Sequence, residues 1–231
     1  IVANESHNDA LCYGSADGRA TITASQGTAP LTYLWNDGDT SSNRNGLVAA
    51  TYTVTVTDAN QCSVSLTSVV AQPTAITVSV TAIDVSCMGY ADGNATVNAT
   101  GGTPPYSYAW SNTAILPGNT NPGLAAGSYD VTVYDTHQCS ATGSVVVTQP
   151  AGIVMNNSFT NPSCPSKDAD GTITLNVSGG SQPYTYYWNN TASGTQLQGL
   201  LPGDYYVTVA DANNCSVTDT FTLAYLYDFS I

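Results

Sequence analysis

Cysteine falls in three matched pairs along the 231 residues: Cys12 with Cys62, Cys87 with Cys139 and Cys164 with Cys215, separated by 50, 52 and 51 positions. Around each pair the same words return in the same order. Asp17-Gly18, Asp92-Gly93 and Asp170-Gly171 come first. Trp35, Trp110 and Trp188 follow, then Gly46-Leu47, Gly123-Leu124 and Gly199-Leu200. Just ahead of each second cysteine stands an alternating run, at 51–58, 128–135 and 204–211, that ends on an aspartate. Three copies of one unit, 75–78 residues apart, override the one or two domains that length alone suggests.

Each copy reads almost wholly as strand. Tyr52, Val54 and Val56 alternate with threonines, the period of two that marks a half-buried strand. Tyr129, Val131, Val133 and Tyr205, Val207, Val209 repeat it. A second alternation runs Leu31, Tyr33, Trp35, matched by Tyr106, Tyr108, Trp110 and by Tyr184, Tyr186, Trp188. A third runs Ala20, Ile22, Ala24, matched by Ala95, Val97, Ala99 and by Ile173, Leu175, Val177. Turn signals separate them: Asp-Gly, then Gly101-Gly102-Thr103-Pro104-Pro105 or Gly179-Gly180-Ser181-Gln182-Pro183. The fold class expected is all-β, with three tandem immunoglobulin-like β-sandwich modules.

Ile1, Ile76 and Ile153 each stand 11 residues before the first cysteine of their copy, so each opens the same first strand. This phase sets modules at 1–73, 74–150 and 151–231. Gln72-Pro73 and Gln149-Pro150 precede the second and third, and a proline there stiffens the joint. The third copy carries an atypical tail, with Tyr225-Leu226 in place of Gln-Pro and then residues 227–231. The chain reads as a mature piece or an excerpt, since no signal peptide and no apolar stretch of membrane-spanning length is found.

Modules of this size bury little surface, and cross-links compensate. The even cysteine count and constant spacing point to one disulfide inside each module: Cys12–Cys62, Cys87–Cys139 and Cys164–Cys215. Six cysteines nevertheless allow about 15 connectivities. Zinc, the rival, needs four clustered ligands, and His7 and His137 do not occupy equivalent positions. Disulfides imply an oxidising compartment.

With three basic side chains, Arg19, Arg44 and Lys167, against sixteen acidic ones, the chain has no stripe of positive charge. Nucleic acid and anionic membrane surfaces are therefore excluded as partners.

The combined pattern resembles the SprB repeat, a family named for the large cell-surface adhesin of gliding bacteria. It reads Cys-x-Gly-x-x-Asp-Gly-x-Ala, then Gly-Gly-x-x-Pro-Tyr-x-Tyr-x-Trp, then Gly-Leu-x-x-Gly-x-Tyr-x-Val-x-Val-x-Asp-x-x-x-Cys. Residues 87–139 fit almost position by position. The first copy departs at Gln26, Leu31 and Ala50; the third has Pro165-Ser166-Lys167 after its cysteine and an insertion before Asp170. A weaker likeness to polycystic-kidney-disease-type domains points to the same fold class. The resemblance implies an extracellular, cell-surface location reached by type IX secretion and a role in adhesion or gliding motility. It brings no catalytic or ligand-binding residues with it.

Direct inspection finds no enzyme either. The third copy has no histidine, and Gly101-Gly102 precedes a strand where a phosphate loop needs a helix. The tryptophans read as core, with a sugar platform as the minority reading. Tyr13, Tyr90, Tyr187 and Tyr206 are the better candidates for stacking on surface carbohydrate. No cofactor is called for, with one exception to weigh. A Cys12–Cys62 bond would draw Asp17 towards Asp58, and Asp92 with Asp135 and Asp170 with Asp211 are placed alike. Calcium takes such oxygen ligands; the alternative, which the sequence favours, is turn chemistry. Two functions are compatible with these residues. One is the stalk and display scaffold of an adhesin; the other is a structural subunit of an extracellular filament, its partners being repeats of the same or neighbouring chains.

Overall fold

The computed structural model describes residues 1–112, 115, 116, 118–163 and 169–225, and these form strands, turns and connecting segments with no helix among them. The first repeat holds β1 (Val2–Asn8), β2 (Gly18–Ser25), β3 (Thr32–Trp35), β4 (Asn43–Leu47), β5 (Ala50–Thr57) and β6 (Ser63–Val70). They make two antiparallel sheets, β1-β2-β4 and β3-β5-β6. Lettered in immunoglobulin fashion these are A-B-E and C-F-G, the constant-type sandwich without its D strand. The alternation forecast for 51–57 is what the two sheets close upon. Trp35 opposes Val54 and Tyr33 opposes Val56 in the register. Val54, Val56 and Val70 meet Ala20, Ile22 and Leu47 of the other sheet around Trp35 in one buried cluster.

Tyr52 opens the inward stripe of β5 and donates its hydroxyl to the Val48 carbonyl at 3.1 Å, the tyrosine corner of immunoglobulin-like sandwiches. Tyr205 repeats it on Leu201 at 2.9 Å. Arg44 lies 5.1 and 5.2 Å from the ring centres of Trp35 and Tyr52 and is paired to Asp37 at 2.6 Å. One of the few cations is thus spent on packing.

The second repeat comprises β7 (Thr77–Ile83), β8 (Gly93–Thr100), β9 (Ser107–Trp110), β10 (Ile115–Leu116), β11 (Thr120–Leu124), β12 (Gly127–Tyr134) and β13 (Ser140–Val147). Its sheets are β11-β8-β7 and β10-β9-β12-β13. The third comprises β14 (Val154–Met155), β15 (Ser158–Thr160), β16 (Gly171–Thr174), β17 (Val177–Ser178), β18 (Thr185–Trp188), β19 (Gln196–Leu200), β20 (Gly203–Ala210) and β21 (Ser216–Leu223). Here the expected first and second strands are each broken in two. Asn156 and Asn157 interrupt one and Leu175 and Asn176 the other, where the Asn156 amide donates to the Asn176 carbonyl at 2.9 Å. The core around Trp188 is otherwise built like the first, with Phe221 added.

Residues 1–81, 96–120 and 129–145 gather into one compact unit, and residues 82–95, 121–128 and 146–231 into another. The division passes through the middle repeat, so neither unit coincides with whole modules.

Candidate functional site

Every second cysteine closes a tight turn that an aspartate holds. Asp58 Oδ1 accepts the amides of Asn60 and Cys62 at 2.9 and 3.0 Å, and Oδ2 accepts that of Thr28 at 3.2 Å. Asp135 does the same for His137, Cys139 and Thr103, all within 3.0 Å, and Asp211 for Asn213, Cys215 and Ser181, all at 2.9 Å. The residue before each cysteine takes positive φ: Gln61 at 66°, Gln138 at 65° and Asn214 at 63°. Thr28, Thr103 and Ser181 belong to the turn between the second and third alternating runs. The aspartate therefore ties two turns together at one end of its repeat.

The first cysteines sit in a different kind of loop. Asp17 accepts the Leu11 amide at 3.1 Å and the Ser15 hydroxyl at 2.6 Å. Asp92 holds the amide and hydroxyl of Ser86, and Asp170 those of Ser163. Gly14, at φ +74°, donates its amide to Gln72 Oε1 at 2.6 Å; Gly89, at φ +79°, donates to Gln149 Oε1 at 2.9 Å. The glutamine of each Gln-Pro joint thus clamps the Cys-x-Gly loop, a role the sequence reading gave only to the proline.

These two kinds of cysteine lie at opposite ends of the first repeat. Cys62 adjoins Ser63, at the Thr57–Ser63 end of the β5–β6 hairpin. Cys12 lies at the other end, where Ala71, just past Val70, accepts the Ala10 amide and donates to Asp9. Eight strand residues separate the ends, about 25 Å, whereas a disulfide needs Cα atoms within about 7 Å. The expected Cys12–Cys62 bond does not form. Cys12 is bonded to Cys139 and Cys87 to Cys215, each pair 5.6 Å apart at Cα. This replaces Cys87–Cys139 as well as Cys12–Cys62, and it leaves Cys215 no sulfur for Cys164, which itself lies outside the described residues. Cys62 is a free, exposed thiol. The constant spacing of about 50 is the stretch of chain within a module from a loop at one end to a turn at the other. Each described bond joins the first cysteine of one repeat to the second cysteine of the next.

The calcium reading depended on the Cys12–Cys62 bond to gather Asp17 and Asp58, and those two carboxylates stand at opposite ends with separate partners. Asp58, Asp135 and Asp211 are buried and carry turn chemistry with both oxygens. No group of three His, Cys, Asp or Glu side chains suited to a metal is found among the described residues.

Hydrogen bonding holds the carboxyls of all six aspartates below their ordinary range. The leading cause is the Ser15 hydroxyl at Asp17, the Ser86 hydroxyl at Asp92, the Ser163 hydroxyl at Asp170 and the Thr28 amide at Asp58. At Asp135 and Asp211 burial is the largest single influence and pushes upward, but three backbone amides together outweigh it. A depressed folded value stabilises the fold above the unfolded carboxylate range, and that stability is lost as pH falls through the folded values. The thermal midpoint is accordingly flat from neutrality down to about pH 5 and falls below about pH 4. Asp211→Asn flattens this acid limb. The same calorimetric scans at neutral pH give one midpoint in millimolar calcium and in chelator.

Beside each disulfide lies a cleft. The one at Cys12–Cys139 measures about 230 Å³ and is lined by Tyr13, Pro73, Ile76 and Gly102. Its counterpart at Cys87–Cys215 measures about 330 Å³ and is lined by Tyr90, Pro150, Ile153 and Val217. Tyr13 and Tyr90 are 62% and 56% exposed. Tyr187 and Tyr206 are exposed on the outer face of the β18-β20-β21 sheet. The tryptophans are core: Trp35, Trp110 and Trp188 are all buried. His7 is exposed beside Glu5, and His137 is exposed in the second aspartate turn.

The family model described as the SprB repeat matches residues 4–40, 79–114 and 156–193. Each match runs from the first strand to just past the tryptophan, so it includes the loop cysteine and stops short of the turn cysteine. No curated protein sequence matches the chain. Among solved structures, immunoglobulin domains 1–5 of Sidekick-1 align with 93% of this chain at 10% identity and TM-score 0.36. The chain spans 56% of that structure's length. Extracellular domains 3–5 of Drosophila OTK align with 97% of this chain and 92% of their own at 9% identity, TM-score 0.35. Domains 1–6 of the surface layer protein SbsC align with 100% and 41% at 15% identity, TM-score 0.31.

Proposed function

We propose, for a chain that belongs to the SprB repeat family, that it is a non-enzymatic extracellular array serving as the stalk and display scaffold of a cell-surface adhesin. The observation that carries this reading is the pair of bonds Cys12–Cys139 and Cys87–Cys215. A module that bonds its neighbour covalently is built to stay in register under load. Disulfides of this kind belong to an oxidising compartment, and no helix of the described residues is long and apolar enough to cross a membrane. The family supports a cell-surface setting, and with it gliding motility and type IX secretion as the context in which such a stalk works.

Adhesion in this reading is spread thinly. Tyr13 and Tyr90 stand beside equivalent clefts and present open aromatic faces for surface carbohydrate. Weak contacts repeated along an array gain through effective concentration. The three modules 1–73, 74–150 and 151–231 are the units of that display.

Small-angle scattering and sedimentation on the chain, with the Cys62 thiol blocked by iodoacetamide, test the proposal. An extended monomer is expected. Concentration-dependent fibres of the blocked chain would overturn the stalk and leave the filament subunit standing.

A further inference from the structure

The turn at Cys62 is the twin of two turns that are already bonded. Cys139 and Cys215 follow Asp135 and Asp211 as Cys62 follows Asp58, with the same three amides on each carboxylate and the same positive φ one residue earlier. The amides of Ala59, Thr136 and Ala212 likewise donate to the carbonyls of Thr28, Thr103 and Ser181. A cysteine in a turn with this shape is bonded in both other copies, and in the first copy it is a thiol.

A second observation points the same way. In the Cys87–Cys215 joint, Asn213 Nδ2 donates to Ser181 Oγ at 3.2 Å and reaches across to the carbonyl of Ser86, next to Cys87, at 3.1 Å. Cys215 Sγ lies 3.3 Å from that same carbonyl oxygen. Asn60 occupies the equivalent place in the first repeat. Its Nδ2 donates to Thr28 Oγ1 at 2.9 Å, the counterpart of the Ser181 bond. Both the sulfur and the amide that grip a loop elsewhere are therefore set in position here.

We propose that Cys62, with Asn60 beside it, is the receiving half of a further joint: it takes in disulfide linkage the first cysteine of another SprB repeat. The loop's partner groups are the cysteine sulfur and the carbonyl of the residue before it, as at Ser86-Cys87. Bond formation removes two protons and two electrons from the two thiols. A low-molecular-weight disulfide such as glutathione disulfide accepts them and leaves as two thiols. The proposal extends the stalk reading without depending on it, since a chain whose Cys62 remains a thiol is still braced by the two bonds described.

The test uses two proteins in one glutathione redox buffer, read by non-reducing peptide mapping and mass. One is the chain itself. The other is the same chain with residues 76–152 copied ahead of Ile1, which places Ile1 where Ile153 stands after that segment; the copied Cys139 is changed to serine. In the extended protein the added loop cysteine is expected to bond Cys62, lowering Cys62 alkylation about ten-fold or more through its high effective concentration. A bond there and not in the chain itself assigns the loop to a repeat in tandem. Oligomers of the chain itself joined Cys62–Cys164 assign it to a second copy. Cys62 recovered as a thiol or a glutathione adduct in both proteins, while Cys12–Cys139 and Cys87–Cys215 form, overturns the proposal.

Discussion

Cys12→Ser lowers the unfolding free energy of the chain by about 4–5 kcal/mol, and Cys62→Ser leaves it unchanged. The Cys12–Cys139 bond closes a loop with a sequence separation of 127, and in the chain-entropy view constraining so long a loop is worth about 5 kcal/mol. Cys62 bonds nothing in this structure and is exposed. Urea unfolding under oxidising conditions measures both variants, and dithiothreitol, which reduces Cys87–Cys215 as well, should bring the wild type below the level of oxidised Cys12→Ser. Pairing within the first repeat would instead make the two substitutions equally costly, so equal losses would return the connectivity to Cys12–Cys62.

Trp35→Ala costs about 3–5 kcal/mol, the range for emptying a large aromatic site in a packed core. Only 2% of Trp35 is exposed, and its indole donates to the Ser41 carbonyl at 2.8 Å while its ring carries the Arg44 guanidinium. Val54, Val56 and Ile22 cannot collapse far into the gap, because each is pinned in the hydrogen-bonded ladder of its own sheet. Thermal or urea denaturation gives the loss directly. A neutral substitution would mean that the ring is not core, and would reopen the carbohydrate-platform reading of the tryptophans.

Much of the fold was legible because a strand buried on one face writes its geometry as alternation. Tyr52, Val54 and Val56 needed no partner to be recognised, and Trp35 could be assigned to the core from its place in a second alternating run. The last strand of each repeat was harder. Ser63–Val70 and Ser140–Val147 alternate weakly, with serines and a glycine among the valines, and only their pairing with the preceding strand reveals them. The joints were misread for a physical reason. Equal spacing between cysteines measures distance along the chain, and a sandwich converts about 50 residues into a journey from one end to the other. Pairing within a repeat and pairing between neighbours are compatible with the same spacing, and only the directions of the strands between loop and turn distinguish them. Gln72 and Gln149 were legible as a repeated dipeptide, but their amide oxygens mean nothing until Gly14 and Gly89 are seen to donate to them.

The two disulfides overlap: the span from Cys12 to Cys139 and the span from Cys87 to Cys215 share the 52 steps between Cys87 and Cys139. A rope of covalent bonds pulled at Cys12 and Cys215 therefore crosses to Cys139, runs backwards through the middle repeat to Cys87, and crosses again. Fully drawn out, that path pays out about 180 Å of chain, against about 700 Å for the roughly 200 residues of the direct route at 3.5 Å each. The first and third repeats are largely outside the line of tension. The middle one bears it between its turn cysteine, Cys139, and its loop cysteine, Cys87.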